Sequence, residues 1–374
     1  MSQRIKVFTA LNHAGNEYEL LKLAKTGKVK FYYLENNVRR WSRYASRPEP
    51  TTWLNKDEFE WVQHYEPGKY DLAILRCDQQ HADPLIGKGQ LFRALDKVVT
   101  DIPKIVVNHG TPMWDERFPE DVVKYGGVAQ TTRGPRTIDG IKELVKNCEM
   151  MLVNSYEAVD RWEGVHDNIY PTIHGIDSNE WWDLPKEPRV VLPLSPGGLD
   201  KYYNRTLCTA IKGAVKETSG LTVIHPNINI TFDDDNWTQY REFIGSSLIC
   251  IFPFRDSPMP RSRTEAMLSG CTVLTSKYHG AADFIEHGKN GFIVHDNPLS
   301  YATAIHLLIN EAYEESVKMG QRAKKTAKEL FNLDRYLDDM YKIIYEVANG
   351  RTPKWDGSKI WDSLKLRNGE KYDI

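Results

Sequence analysis

The densest run of residues able to do chemistry lies between Phe252 and Val294. There Phe252-Pro-Phe-Arg-Asp-Ser-Pro-Met-Pro-Arg-Ser-Arg-Thr-Glu leaves an apolar segment, crosses a Pro- and Arg-rich loop and enters a helical pattern that the spacing opens near Thr264. A helix N-terminus presents unbonded amide hydrogens and positive dipole, which suits a phosphate. Arg261 and Arg263 add forked donors at that point. Glu265, read as a first-turn residue, can accept two hydroxyl hydrogens of a ribose. The plainer alternative is a carboxylate that complements the helix dipole beside solvated arginines. The loop by itself leaves both open.

Other features have weaker chemical claims. Asp233-Asp-Asp235 has the composition of a metal-binding triplet, but it sits in a polar stretch beside Asn236 and reads better as a solvated loop. Gly197-Gly198 is a weak phosphate-loop signal, because a glycine pair usually makes a turn. Arg39-Arg-Trp41, Arg43-Tyr44 and Arg47 combine four arginines and two aromatics without an acid. Such a patch can meet an anionic acceptor, a membrane surface or a nucleic-acid backbone, and a solvated or internally paired segment is the favoured reading. Cys77, Cys148, Cys208, Cys250 and Cys271 are widely spaced in apolar stretches with no metal-ligand spacing, so packed, reduced thiols are expected.

These residues need a scaffold, and the whole chain alternates short β-branched runs with helical patterns, as in parallel sheets covered by helices. Strands are expected at Arg4–Leu11, Val29–Leu34, Leu72–Arg76, Ile105–Asn108 and Met150–Asn154. A helix opens at Asn16, with Glu19 at capping-box spacing, and stops at Thr26-Gly27. Further helices fit Leu91–Thr100 and Ile138–Asn147, while residues 35–68 read as irregular. Pro185 and Pro188 close a Trp- and acid-rich stretch and place a domain boundary there. Beyond it, strands are expected at Val190–Leu194, Leu221–His225, Leu248–Pro253, Thr272–Ser276 and Phe292–Val294. Helices fit Arg205–Thr218, Thr264–Ser269, Leu299–Asn310, Glu314–Leu330 and Asp334–Val347, with Asn297-Pro298 as N-cap and first helical residue. The loops after the strands are where open α/β sheets bind ligands.

The run Glu265-Ala-Met-Leu-Ser-Gly-Cys-Thr-Val-Leu-Thr-Ser276, followed by Gly280, Asp283-Phe-Ile and Gly288-Lys-Asn-Gly-Phe-Ile-Val294, resembles the donor-site signature of retaining GT-B glycosyltransferases of family 4. Val106-Val-Asn-His-Gly110, Leu152-Val-Asn-Ser155 with Ile173-His-Gly-Ile-Asp177, and Met319-Gly, Phe331, Tyr341 and Tyr345 fall in the order that family shows. The resemblance implies two Rossmann-like domains facing across a cleft, with C-terminal helices. Residues 1–187 would form the acceptor-side domain and 188–348 the nucleotide-sugar-binding domain. Residues 349–374, with Trp355 and Trp361, would be a tail returning to the first.

The resemblance also implies roles. His109 would face the reacting sugar, and Lys201 and Arg261 would stabilise the leaving diphosphate. Glu265, Arg263, Arg205, Gly197, Gly198, Ser257, Gly280 and Asp283 would line the donor site. His13, Asn12 and Gly15 would lie on the acceptor side. The family's first glutamate is here Ser257, and its diphosphate arginine is here Pro196, a place for which Arg205, Arg261 or Arg263 can compensate.

The implied reaction is sugar transfer, of the hexosyltransferase kind, from a nucleotide-diphosphate donor to a hydroxyl of a glycan, lipid, small molecule or DNA, with retention. No catalytic metal and no cofactor beyond the sugar nucleotide is expected. Rival readings are a viral-type enzyme glycosylating DNA bases, a non-catalytic sugar-nucleotide-binding protein and, more weakly, a GT-B epimerase.

Composition narrows the class further. With 49 basic and 51 acidic residues and a formal net charge of −2, the chain lacks the excess of Lys and Arg that a nucleic-acid coat needs. Hydrophobic content of 41% with 27% charged residues excludes wholesale disorder. No apolar run approaches membrane-spanning length, and Met1-Ser-Gln-Arg-Ile-Lys leads into no signal-peptide pattern, so a cytoplasmic protein is expected.

Overall fold

The computed structural model describes residues 4–35, 41, 47–82, 87–112, 135–193, 205–224, 236–254, 259–276 and 284–358. They fall into two compact units, Met1–Gly175 with Leu333–Asp356, and Ile176–Asn332 with the segment from Gly357.

The first unit is built on a seven-stranded sheet in the order β3-β2-β1-β4-β5-β6-β7, with every neighbouring pair parallel. The strands are β1 (Ile5–Ala10), β2 (Val29–Leu34), β3 (Phe59–Val62), β4 (Leu72–Cys77), β5 (Lys104–Asn108), β6 (Met150–Val153) and β7 (Ile169–Pro171). Side chains alternate across the sheet, as the two-residue period of a strand requires. Val7, Phe31, Tyr33, Ile74 and Leu152 pack on one face against α1 (Ala14–Leu21) and the terminal helix α10 (Leu333–Ala348). Phe8, Tyr32, Leu75, Val106 and Met151 pack on the other, against α2 (Gly87–Val98), α3 (Pro135–Val145) and α4 (Tyr156–Arg161). Both faces are apolar because both are covered.

The second unit has a five-stranded parallel sheet, β12-β11-β10-β8-β9. Its strands are β8 (Glu187–Val191), β9 (Val223–Ile224), β10 (Ser247–Phe252), β11 (Thr272–Ser276) and β12 (Phe292–Val294). The helices are α5 (Arg205–Ser219), α6 (Asn236–Gly245), α7 (Arg261–Leu268), α8 (Pro298–His306) and α9 (Tyr313–Leu330). β10 is the middle strand of this order, and every one of its residues is buried.

The units divide at 175/176 and 332/333, so the boundary expected at 187/188 lies about one strap too late, and α10 belongs to the first unit. The strap Ile176–Lys186 stays with the second unit because its tryptophans pack there. Trp181 meets Trp237 and Tyr240 of α6, and the Arg241 guanidinium lies 4.2 Å from the Trp182 ring and 4.7 Å from that of Trp237. Pro188 is inside β8, where pairing with β10 slips register between Ser247 and Ile249, and a bulge tolerates proline. Of the tail expected to return to the first unit, the part up to Asp356 belongs to that unit, where Trp355 packs on Tyr156 and Asn168 donates to the Pro353 carbonyl. The segment from Gly357 groups with the second unit, and Trp361 lies outside the described residues. No helix among the described residues is long and apolar enough to cross a membrane.

Candidate functional site

Parallel sheets bind ligands at the carboxyl ends of their strands where the strand order reverses. In the first unit that point lies between β1 and β4. In the second it lies between β8 and β10.

In the first unit, β1 ends at Ala10 and the chain turns through Asn12 to His13, which caps α1 with extended backbone. The N–H groups of Asn12 and His13 both donate to Glu17 Oε1 at 2.7 Å, and the Asn16 N–H reaches His13 Nδ1 at 3.4 Å. The capping pair is thus His13 with Glu17, three residues ahead of the expected opening at Asn16, and Glu19 pairs instead with Lys22 at 3.0 Å. Gly15 lies half-buried in the first turn.

His109 follows β5 directly. Its backbone N–H donates to the Cys77 carbonyl at 2.9 Å, its ring lies 5.7 Å from that of His13, and its Nδ1 is 3.0 Å from Asn16 Nδ2. Burial above all, with His13 and Arg76 adding, holds the imidazole well below its usual pKa, so the ring is neutral. The structure therefore brings His13, Asn12, Gly15 and His109 together.

A buried polar group around β4 was not visible in the sequence. Arg76 stands 3.4 Å from Glu17. Asp78 accepts the Gln80 N–H at 2.8 Å, lies 3.1 Å from His81 Nδ1 and pairs with Lys88 at the start of α2. Burial pushes the Asp78 carboxyl up, but His81 and Lys88 outweigh it and hold it well below the carboxylate range. The only sequence signal was Asp-x-x-His after a strand, which is too short to stand out.

In the second unit α7 begins at Arg261, with Pro260 as N-cap, three residues earlier than expected. Glu265 consequently lies in the second turn, where it cannot be a mere first-turn partner of the dipole. Its carboxylate is 3.6 Å from Arg261 Nε, and both side chains are buried. Arg263 is fully buried: Nη1 donates to Thr275 Oγ1 at 3.1 Å, and the guanidinium lies 4.5 Å from the Phe284 ring and 5.5 Å from that of Phe254. The expectation of Arg263 as a phosphate-facing group gives way to a brace between α7 and β11. Arg205, the first residue of α5, is exposed.

Lys201, Gly197, Gly198, Ser257, Gly280 and Asp283 lie outside the described residues, as do Asp233–Asp235 and most of the Arg39–Arg47 patch. Of that patch, Trp41 and Arg47 are buried, and Trp41 Nε1 donates to the Arg47 carbonyl at 3.2 Å, so these two turn inward.

Residues 196–326 match the sequence profile of a family described as Glycosyl transferases group 1. Over 88 residues the chain is 33% identical to spore coat protein SA of Bacillus subtilis, a match covering 23% of this chain and only 23% of that protein's length. Among solved structures, a sucrose-phosphate synthase from Thermosynechococcus elongatus superposes with a TM-score of 0.63 at 14% identity, covering 93% of this chain and 100% of that one. HepE of Anabaena, in complex with UDP and glucose, superposes with a TM-score of 0.58 at 16% identity, covering 91% and 100%. At these identities the structural likeness is one of fold.

Proposed function

Given a GT-B fold whose second unit carries a glycosyl transferases group 1 domain, we propose that this chain moves a sugar from a nucleoside-diphosphate donor to an acceptor hydroxyl, with retention at the anomeric carbon. The observation that carries this reading is the Arg261–Glu265 pair on α7, at the switch point of the second sheet. The N-terminus of α7 and the Arg261 fork suit a diphosphate, and Glu265 one turn on suits the two hydroxyls of a ribose.

Chemically, the bond from the anomeric carbon to the diphosphate oxygen breaks, and its electron pair leaves with the diphosphate. The acceptor oxygen bonds to that carbon and releases its proton to the departing phosphate. Arg261, Lys201 and the α7 amides work by stabilising charge that grows on the diphosphate in the transition state. His109, neutral and with its proton on Nε2, donates to an oxygen of the sugar or acceptor. His13 and Asn12 serve the acceptor. No bound metal is required in this reading. UDP is the first nucleotide to test, because the HepE structure holds UDP and glucose. Five cysteines, all buried, accord with packed, reduced thiols and a reducing compartment such as the cytoplasm.

The test is a thermal-shift panel of UDP, GDP, ADP, CMP and their sugar conjugates, with and without magnesium, on wild type and Glu265→Gln. A ligand of the native state raises the melting temperature by mass action. One nucleotide family should give a shift that Glu265→Gln reduces and magnesium leaves unchanged. No shift with any of them would sink the reading. With the donor known, the anomeric configuration of the product, read by NMR, decides between retention and inversion.

A further inference from the structure

Glu17 and Arg76 are unusual residues to bury. Glu17 has no exposed surface and Arg76 is 6% exposed. An ionised carboxylate loses its hydration in such a place and needs compensation. Glu17 receives it from three directions: the Asn12 N–H at 2.7 Å, the His13 N–H at 2.7 Å and Arg76 Nε at 3.4 Å, all at Oε1. Its place in the first turn of α1 adds the favourable end of the helix dipole.

The two amides belong to the N-cap residue and the one before it, which a first-turn acceptor satisfies, and an uncharged Gln would do so without burying an ion pair. What the pair adds is a link across strands. Glu17 holds the turn after β1, and Arg76 comes from β4, its neighbour across the switch point of the sheet. The residue before Glu17 is Asn16, whose amide meets His109 Nδ1 at 3.0 Å. A shift of the α1 entry therefore moves His13 directly and His109 through Asn16.

We propose that Glu17 and Arg76 are positioning residues of the first unit's site: Glu17 fixes the Asn12–His13 turn and the Asn16–His109 contact, and Arg76 is the buried counter-charge that ties Glu17 to β4. The charged and titratable groups around His109 are His13, Arg76, Asp78 and His81, and Arg76 also contributes to keeping the ring neutral. The catalytic consequence rests on the transferase reading. The structural consequence does not.

The experiment uses the full chain and three changes: Arg76→Met alone, Glu17→Leu with Arg76→Met, and Glu17→Gln with Arg76→Met. Melting temperature, ring 15N shifts of His13 and His109, and kcat and KM with the active donor are read for each. Arg76→Met alone should melt lowest, because it strands a buried carboxylate, and both double variants should recover most of the loss. The Leu-containing double variant, with no acceptor for the two amides, should still show displaced histidine signals. Its kcat should fall about tenfold to a hundredfold, with donor KM within about twofold. The Gln-containing double variant keeps an acceptor oxygen and should restore both.

The proposal is overturned if the Leu-containing variant regains native histidine signals along with its stability, since the pair would then be structural only. It is equally overturned if the Gln-containing variant folds yet rescues neither readout. Should wild type turn over no donor at all, the transferase reading fails, and the histidine signals still decide on the positioning role.

Discussion

Asn16 Nδ2 lies 3.0 Å from Nδ1 of His109 and, being an amide nitrogen, can only donate to it. The contact fixes the tautomer: Nδ1 accepts, and the ring proton rests on Nε2, a buried atom with no hydrogen-bond partner among the described residues. His109 thereby presents one N–H donor of known position. Asn16→Asp replaces the donor by an acceptor and should move the proton to Nδ1. The 15N shifts of the His109 ring should interchange, and sugar transfer should fall by about tenfold, the loss of one good hydrogen bond. Unchanged ring shifts in Asn16→Asp would refute the assignment.

The same ring sets a pH dependence. Burial first, then the neighbouring His13 and the Arg76 guanidinium, depress the His109 pKa in the native state. In the unfolded chain the imidazole takes up a proton at about pH 6.5. Below that pH the unfolded state binds a proton that the native state refuses, so stability is full above about pH 6.5 and declines as the pH falls through it. Urea unfolding of wild type and His109→Gln between pH 8 and 5 should show a steeper loss for wild type. Equal slopes, or a native ring titrating at its ordinary value, would contradict this.

The elements legible in sequence were those whose ends carry conventional signals. β2, β11 and β12 coincide with their expected ranges, and Asn297 caps α8 through its side chain at 2.8 Å as its Asn-Pro spacing suggests. α1 and α7 open three residues early because their caps are His13 and Pro260, neither a usual capping residue and the second without any side-chain bond. α6 was missed because Trp237, Thr238, Tyr240 and Phe243 favour strands when read locally, and packing on Trp181 overrides that. Short β3 vanished in an irregular stretch for want of length. In the site, His13, His109, Arg261 and Glu265 were readable because each follows a strand. Glu17, Arg76, Asp78 and Lys88 were not, because topology alone brings them together, and the burial of Arg263 depends on Phe284, twenty-one residues away by number.

Two arginines of α7 should separate cleanly in experiment. Arg263→Ala removes a guanidinium packed on Phe284 and bonded to Thr275, leaving a hole in the second unit. It should cost about 3 kcal/mol of stability, and Arg263→Lys should rescue little, because an ammonium neither stacks nor forks. Arg261→Lys keeps the charge beside Glu265 and should melt within about 1 kcal/mol of wild type. The thermal shift produced by the donor nucleotide should nevertheless shrink in Arg261→Lys, since one point charge replaces a bidentate fork. Reversed behaviour of the two variants would place Arg263, and not Arg261, against the ligand.

Two helical glycines make opposite predictions. A Cβ on Gly320 of α9 would stand 2.0 Å from the Gly270 carbonyl oxygen and 2.9 Å from its carbon. That neighbour is backbone, in the turn between α7 and β11, and Gly270 itself holds a φ of +71° beside the Asp183 carboxylate. Nothing there yields cheaply, so Gly320→Ala should destabilise by about 1–3 kcal/mol, the cost of forcing packed elements apart. Around Gly213 of α5 nothing lies within 4 Å of the added carbon. Gly213→Ala therefore gains helix propensity without a clash and should stabilise by about 0.5–1 kcal/mol. Chemical denaturation of the two variants side by side gives both signs from one measurement. A neutral Gly320→Ala would mean that α9 does not approach the α7–β11 turn as closely as described.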